Sequence, residues 1–109
     1  MNAIKDCEVS NWTNPDEVPT GGYVKGTGLN IQWQEGALKE PDGQRKEPNG
    51  AFVETVISAC VQRLEFFQQS KFKCRENALA ITKLEEALHW LNWRTQGREL
   101  RQVEGTHKV

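Results

Sequence analysis

One stretch limits what this chain can become: Cys74-Arg75-Glu76-Asn77-Ala78-Leu79-Ala80-Ile81-Thr82-Lys83-Leu84-Glu85-Glu86-Ala87-Leu88-His89-Trp90-Leu91-Asn92-Trp93-Arg94. Ile81, Leu84, Leu88 and Leu91 recur at spacings of three and four, with Ala80 and Ala87 beside them. That is the period of an amphipathic α-helix with one face to bury. Ala, Leu, Glu and Lys dominate the run and are strong helix formers. Polar groups gather at its ends, Arg75 and Asn77 at the start, Arg94 and Arg98 at the finish. Gly97 stands where a helix C-cap is expected.

A second helical pattern precedes it. Val53, Val56, Ile57, Cys60, Leu64 and Phe67 mark one face over about four turns. Asn49 is the N-cap candidate, and Glu54 lies near the positive end of the helix dipole. Ser70, Lys71, Lys73 and Asn77 interrupt the apolar face between the two patterns. A heptad phase runs on through them, so one helix over 51–96 also fits the periodicity. Such a helix, about 46 residues long, is out of scale for so small a domain. A helical hairpin turning near residue 72 is the expectation.

Ahead of the helices the sequence reads as β-rich. Residues 1–21 look irregular, with turn signals at Asn14-Pro15-Asp16 and Pro19-Thr20-Gly21-Gly22. Tyr23-Val24-Lys25 suggests a short strand. Leu29-Asn30-Ile31-Gln32-Trp33-Gln34 alternates cleanly, with Leu29, Ile31 and Trp33 on one face. Glu40-Pro41-Asp42-Gly43-Gln44 has the form of a tight turn. Two or three short strands are not stable alone. The expected class is therefore α+β: a small N-terminal antiparallel β-hairpin or sheet over 1–47, packed on a C-terminal two-helix antiparallel hairpin over 48–109, as one compact folding unit.

At 109 residues and a formal charge of −1, the chain lacks the basic footprint of a non-specific nucleic-acid binder. The charge is uneven: residues 1–47 hold 5 Lys/Arg against 8 Asp/Glu (−3), and residues 48–109 hold 9 against 7 (+2). Anion binding is expected in the second half. Cys7, Cys60 and Cys74 form no CxxC pair, and Cys60 reads as a small core residue. The first residues are polar rather than a signal sequence, and no segment has the length to span a membrane. A reduced intracellular setting is expected, where the sequon Asn11-Trp12-Thr13 has no role.

Several motifs carry little chemistry. Gly26-Thr27-Gly28 lacks the pattern and context of a phosphate loop and reads as a hairpin turn. His89 and His107 lie apart from any cysteine pair, so no zinc site is expected. His89 points away from the leucine stripe, as a solvated histidine would. No nucleophile motif is present. Glu54, Glu65, Glu85 and Glu86 are the carboxylates from which a magnesium cluster between helices would be built. Glu85 and Glu86 are adjacent, however, and point about 100° apart, as a solvated face does. Arg94 and Arg98, four apart, project from one face and suit two phosphates of one ligand. Their alternative role is to complement the helix dipole. Thr95 and Arg101 add donors nearby. Of Phe66 and Phe67, Phe67 fits the core stripe, and an exposed phenyl can stack on a purine. Leu79, Trp90 and Trp93 form a face the hairpin's own stripe does not cover. Either a second copy or the β-rich half must cover it.

Three segments together resemble a known family: Gly28-Leu29-Asn30-Ile31-Gln32-Trp33-Gln34-Glu35-Gly36, then Glu47-Pro48-Asn49-Gly50-Ala51-Phe52-Val53-Glu54-Thr55-Val56-Ile57, then Cys74-Arg75-Glu76-Asn77 onward. They look like the phage Thoeris anti-defence sponge family, which shares a helical hairpin with an anti-CBASS cyclic-nucleotide sponge. The likeness covers roughly residues 20–109. It implies a non-catalytic, cofactor-free protein in the cytoplasm of an infected bacterium. Such proteins hold the cyclic ADP-ribose isomers (gcADPR) made by TIR-domain sensors, so that the effector is never activated. By position in the matching motifs, Phe67, Asn77, Arg94 and Arg98 correspond to gcADPR-holding residues. Arg45, before the Pro-Asn-Gly motif, is a further candidate in a loop of variable length. Arg75 corresponds to a second site for cyclic oligonucleotides. The resemblance also implies homodimers, with hexamers as a further level, and no nucleic-acid polymer or membrane as partner.

Helix geometry adds a constraint of its own. Asn77 and Arg94 are 17 residues apart, about 25 Å along a straight helix. A ligand of roughly 10 Å reaches only one of them in a given chain. Phe67 and Asn77 of one protomer are therefore expected to meet Arg94 and Arg98 of another, with two equivalent sites per twofold dimer. Two other classes compete with this one. A metal-dependent nucleotide pyrophosphatase or cyclic-nucleotide hydrolase would use the four glutamates. A DNA-binding regulator would need a recognition helix, whose pattern is absent.

Overall fold

The computed structural model describes residues 6–36, 38, 43, 44 and 46–103, with side chains as far as Gly97 in the last helix. The elements run β1 (Glu8–Thr13), β2 (Pro19–Gly26), β3 (Leu29–Trp33), α1 (Val53–Gln68) and α2 (Arg75–Val103). The class is α+β, as the two periodicities require. The chain divides into two compact units, Met1–Val53 and Glu54–Val109.

The first unit holds a three-stranded antiparallel sheet in the order β1-β2-β3. Thr27-Gly28 closes the β2–β3 hairpin, with Gly26 paired to Leu29, so Gly26-Thr27-Gly28 is a hairpin turn. Opposed residues share a face. Val9, Val24 and Ile31 lie in register on one side. Ser10, Tyr23 and Gln32 lie in register on the other. On this second side Trp12 meets Tyr23 edge-on at 6.2 Å, and the Lys25 ammonium stands 4.6 Å from the Tyr23 ring centre. Ile31 and Trp33 are half-buried as the alternation predicts, while Leu29 remains 41% exposed.

Residues 8–13 and 19–21 are strand rather than irregular chain. Val9 and Trp12 are three apart, so β1 shows no alternation, and its strand character comes from pairing. Gly21-Gly22 lies within β2 because the sheet needs a residue without a side chain there. Gly22 has φ +149, and a Cβ on it would run into the Ser10 carbonyl. The expected turn at Asn14-Pro15-Asp16 does form. Asn14 Oδ1 accepts from Asp16 N (2.8 Å) and Val18 N (3.1 Å), and Glu17 takes φ +64. Residues 40–42 of the expected 40–44 turn lie outside the described residues; Gly43 has φ +90.

Asn49 does not cap α1, which starts four residues later at Val53. Its side chain brackets the end of β3 instead. Asn49 Oδ1 accepts from Glu35 N (2.8 Å), and Asn49 Nδ2 donates to Glu35 O (3.0 Å). Asn49 N donates in turn to Gln34 Oε1 at 2.9 Å. Ala51 then pairs beside β3 in parallel, through Ala51 N to Gln32 O (2.7 Å) and Gln34 N to Ala51 O (2.9 Å). Gly50 between them passes so close that a Cβ would lie 2.5 Å from the Trp33 carbonyl oxygen. Pro-Asn-Gly is thus a strand-edge clasp, and its composition only mimics a helix start.

The second unit is the expected hairpin. Its inner line on α1 follows the apolar pattern in part. Val56, Ile57, Leu64 and Phe67 are half-buried as the period places them and Val61 is buried beside them, while Cys60 and Val53 are exposed. Polar Glu54 and Gln68 stand at the two ends of this line and disguise it in the sequence. On α2 the half-buried set is Asn77, Ala80, Ile81, Leu84, Ala87, Leu88 and Leu91, which matches the periodicity. Gly97 lies inside α2 rather than capping it, since good helix formers on either side offset the roughly 1 kcal/mol a helical glycine costs. Among the described residues Val61 is the only buried apolar side chain, and no helix is long and apolar enough to cross a membrane.

Gly50→Ala should lower stability by about 1–3 kcal/mol, because backbone rather than a yielding side chain stands in the way. Asn49→Ala should cost about 1 kcal/mol through lost bonds to exposed backbone. Urea denaturation followed by tryptophan fluorescence reads both.

Candidate functional site

The sequence candidates fall into two groups at opposite ends of the hairpin. The first surrounds the turn. Gln68, the last residue of α1, clamps Cys74, the residue before α2, through both backbone groups. Cys74 N donates to Gln68 Oε1 and Gln68 Nε2 donates to Cys74 O, each at 3.0 Å. Ser70 Oγ donates to Phe67 O at 2.6 Å and accepts from Phe72 N at 3.1 Å. Asn77 Nδ2 then reaches the Phe72 carbonyl at 3.4 Å, so the amide leans onto the turn. These local bonds hold the 69–74 connection short and bring Phe67 and Asn77 to the same end of the hairpin. Arg75, the first residue of α2, is exposed there.

Phe67 is half-buried, in line with its place on the core stripe, and Phe66 is 52% exposed. Their ring centres are 6.1 Å apart. Arg63 places its guanidinium 5.0 Å from the Phe67 centre and 5.1 Å from that of Phe66. Arg63 was not among the sequence candidates, although its spacing of three and four from the two phenyls puts it beside both on a helix. A cation over these rings adds positive potential to an aromatic surface suited to a nucleobase.

The second group lies near the open end. Arg94 Nη2 stands 3.6 Å from Glu54 Oε2, joining α2 to the first turn of α1. Thr95 does not offer a free donor, because its hydroxyl bonds the Leu91 carbonyl at 3.2 Å. Arg98 and Arg101 belong to α2, with side chains outside the described residues, and Arg45 lies outside them altogether.

α2 is unbroken from Arg75 to Val103. Asn77 and Arg94 are therefore about 25 Å apart, at a rise of about 1.5 Å per residue. One chain does not bring the two groups together. Between them, Leu79, Trp90 and Trp93 are 46%, 62% and 65% exposed, an apolar face open on the single chain. His89 is exposed and meets Trp90 edge-on at 5.9 Å.

The four glutamates do not converge. Glu54 faces Arg94, and Glu86 lies 3.9 Å from Lys83 on the same helix. Among the described residues no three His, Cys, Asp or Glu side chains are grouped to hold a metal ion.

A small antiparallel sheet followed by a helical hairpin, with an aromatic-amide group at the turn and an arginine near the open end, defines a class of small α+β hairpin proteins. The model of the "Acb2/Tad1, hairpin domain" family matches residues 27–96, and the chain belongs to that family. A relative from Bacillus phage SBSphiJ7, "Thoeris anti-defense 1", is 62% identical over 60 residues. The aligned region covers 55% of this chain and 42% of the relative, so the chain matches less than half of that protein's length.

Gln68→Ala should free the Cys74 N–H, leave the Cys74 carbonyl with only its bond from Ala78 N (3.4 Å), and lower stability by about 1 kcal/mol. Amide exchange should quicken at Cys74 and stay unchanged at Leu88, which hydrogen-exchange mass spectrometry can resolve.

Proposed function

We propose that this chain is a phage anti-defence protein that binds and sequesters gcADPR without degrading it, in the cytoplasm of the infected host. Family membership supports the anti-defence role, together with the name of the phage relative. The single observation that carries the site is the length of α2. Its two polar ends are too far apart for one ligand, yet each has half of the chemistry a cyclic dinucleotide-like molecule needs.

In this proposal Arg94 and Arg98 of one protomer grip the pyrophosphate, as arginines four apart on a helix can. Phe67 of a second protomer covers the adenine, and Asn77 reads a ribose or base edge. Arg45 adds a further contact. The second helices run antiparallel, and a twofold axis yields two equivalent sites. Two features of the single chain support assembly: its described core contains one buried apolar side chain, and Leu79, Trp90 and Trp93 lie open. Dimers can associate further into hexamers. Arg75, exposed at the start of α2, serves a second site for cyclic tri- or dinucleotides.

Arg94→Ala and Arg98→Ala should each weaken gcADPR binding by about 2 kcal/mol, roughly 30-fold, through loss of a charge-assisted pair. Calorimetry showing unchanged affinity for both variants would sink the assignment. Heat denaturation of the loaded protein should return intact gcADPR; its loss would mean an enzyme. Arg75→Glu should abolish cyclic-oligonucleotide binding and leave gcADPR binding intact.

A further inference from the structure

Arg94 already has an anionic partner within its own chain. The Glu54 carboxylate lies 3.6 Å from it, with side-chain exposures of 29% for Glu54 and 48% for Arg94. Glu54 sits in the first turn of α1, where the helix dipole favours a negative charge whether or not Arg94 is near. The carboxylate is held from two directions, and the guanidinium from one.

We propose that Glu54 is a competing anion built into the ligand site, one that the ligand's phosphate must displace from Arg94. The inference rests on the phosphate-binding role of Arg94 proposed above. The exchange has a definite balance. Before binding, Arg94 faces a carboxylate; afterwards it faces a phosphate, and Glu54 stays nearby with only the helix dipole to balance its charge. The incoming anion loses part of its attraction to Arg94 through this repulsion. A ligand carrying two phosphates can offset the loss through Arg98, whereas a ligand with a single phosphate has no second contact to do so. Glu54 thereby sets a threshold against the abundant monophosphates of a cell. It also orients Arg94 across to α1 before any ligand arrives, so the pair limits occupancy of the site rather than building it.

Isothermal titration with gcADPR of the full chain, Glu54→Gln, Arg94→Ala and the double variant tests this. The amide of Glu54→Gln keeps the size and removes the charge. Affinity should rise about two- to fivefold, the span of an exposed ion pair. In the Arg94→Ala background the same change should gain clearly less than in the full chain, because only the direct repulsion between Glu54 and the ligand remains once Arg94 is gone; an equal gain in both backgrounds overturns the competition through Arg94. AMP should bind more tightly to Glu54→Gln than to the parent. Unchanged or weaker gcADPR binding in Glu54→Gln, with Arg94→Ala still impaired, overturns the competing-anion role and leaves the sponge proposal standing. Full affinity in Arg94→Ala overturns both. Should Glu54→Gln fail to fold, Glu54→Asp keeps the charge on a shorter arm, and its affinity should also rise, by a smaller factor; no rise counts against the proposal.

Discussion

A helix of fixed rise is a ruler, and this chain is built around one. α2 runs unbroken for 29 residues, which at about 1.5 Å each exceeds 40 Å. Whatever Asn77 and Arg94 do, they do it about 25 Å apart. The same ruler limits the core. α1, at 16 residues, is shorter, and two helices share only one mutual face. Val61 is the one described apolar side chain that this face buries. The outward tryptophans are the other consequence, since a third layer is needed to cover them and the hairpin supplies none.

With so thin a core, polar ties do the aligning. Gln68 fixes the turn by holding both backbone groups of Cys74, and Glu54 meets Arg94 near the other end. Each tie is worth little alone, about 1 kcal/mol or less at such exposure. Their value is positional, because they set the course of α2 against α1 at two separated points. Asn49 plays the same part in the sheet unit, where a side-chain amide replaces the ladder beyond the end of β3. Side chains that bind backbone stand at several changes of chain direction, as Asn14, Asn49, Gln68 and Ser70 show.

The legible parts of the fold were those with a strong period. The Ile81, Leu84, Leu88 and Leu91 stripe and the alternation of Ile31 and Trp33 both appear where the periods place them. β1 was not legible, because an edge strand with Val9 and Trp12 three apart carries no alternation. Asn49 misled because the residues that cap helices also clasp strands, and only the partner distinguishes the two. Cys60 misled because glutamate and glutamine at the ends of the inner line shifted the apparent stripe by about one residue. On the site, the separation of Asn77 from Arg94 followed from residue numbers alone. The Arg94 partner did not. Glu54 and Arg94 are 40 positions apart, and their meeting depends on the stagger between helices, which the connection sets. Arg63 was accessible from its spacing to Phe66 and Phe67, but an arginine on a solvated helix face is too common to mark a site.

On the proposed function the protein consumes nothing, so it needs affinity without acid–base geometry, and a site shared between copies suits that purpose. If each ligand touches Arg94 of one copy and Phe67 of another, ligand binding and association are linked, and each stabilises the other by mass action. A marginal monomer is then no defect. In the proposed dimer the open face of Leu79, Trp90 and Trp93 is the surface on which the site is assembled, and the rigid α2 that separates the two half-sites brings them into register when the second copy lies antiparallel. The Glu54–Arg94 pair fits the same logic. In the proposed exchange it aligns the hairpin and occupies the arginine until an anion arrives that is held by more than one group.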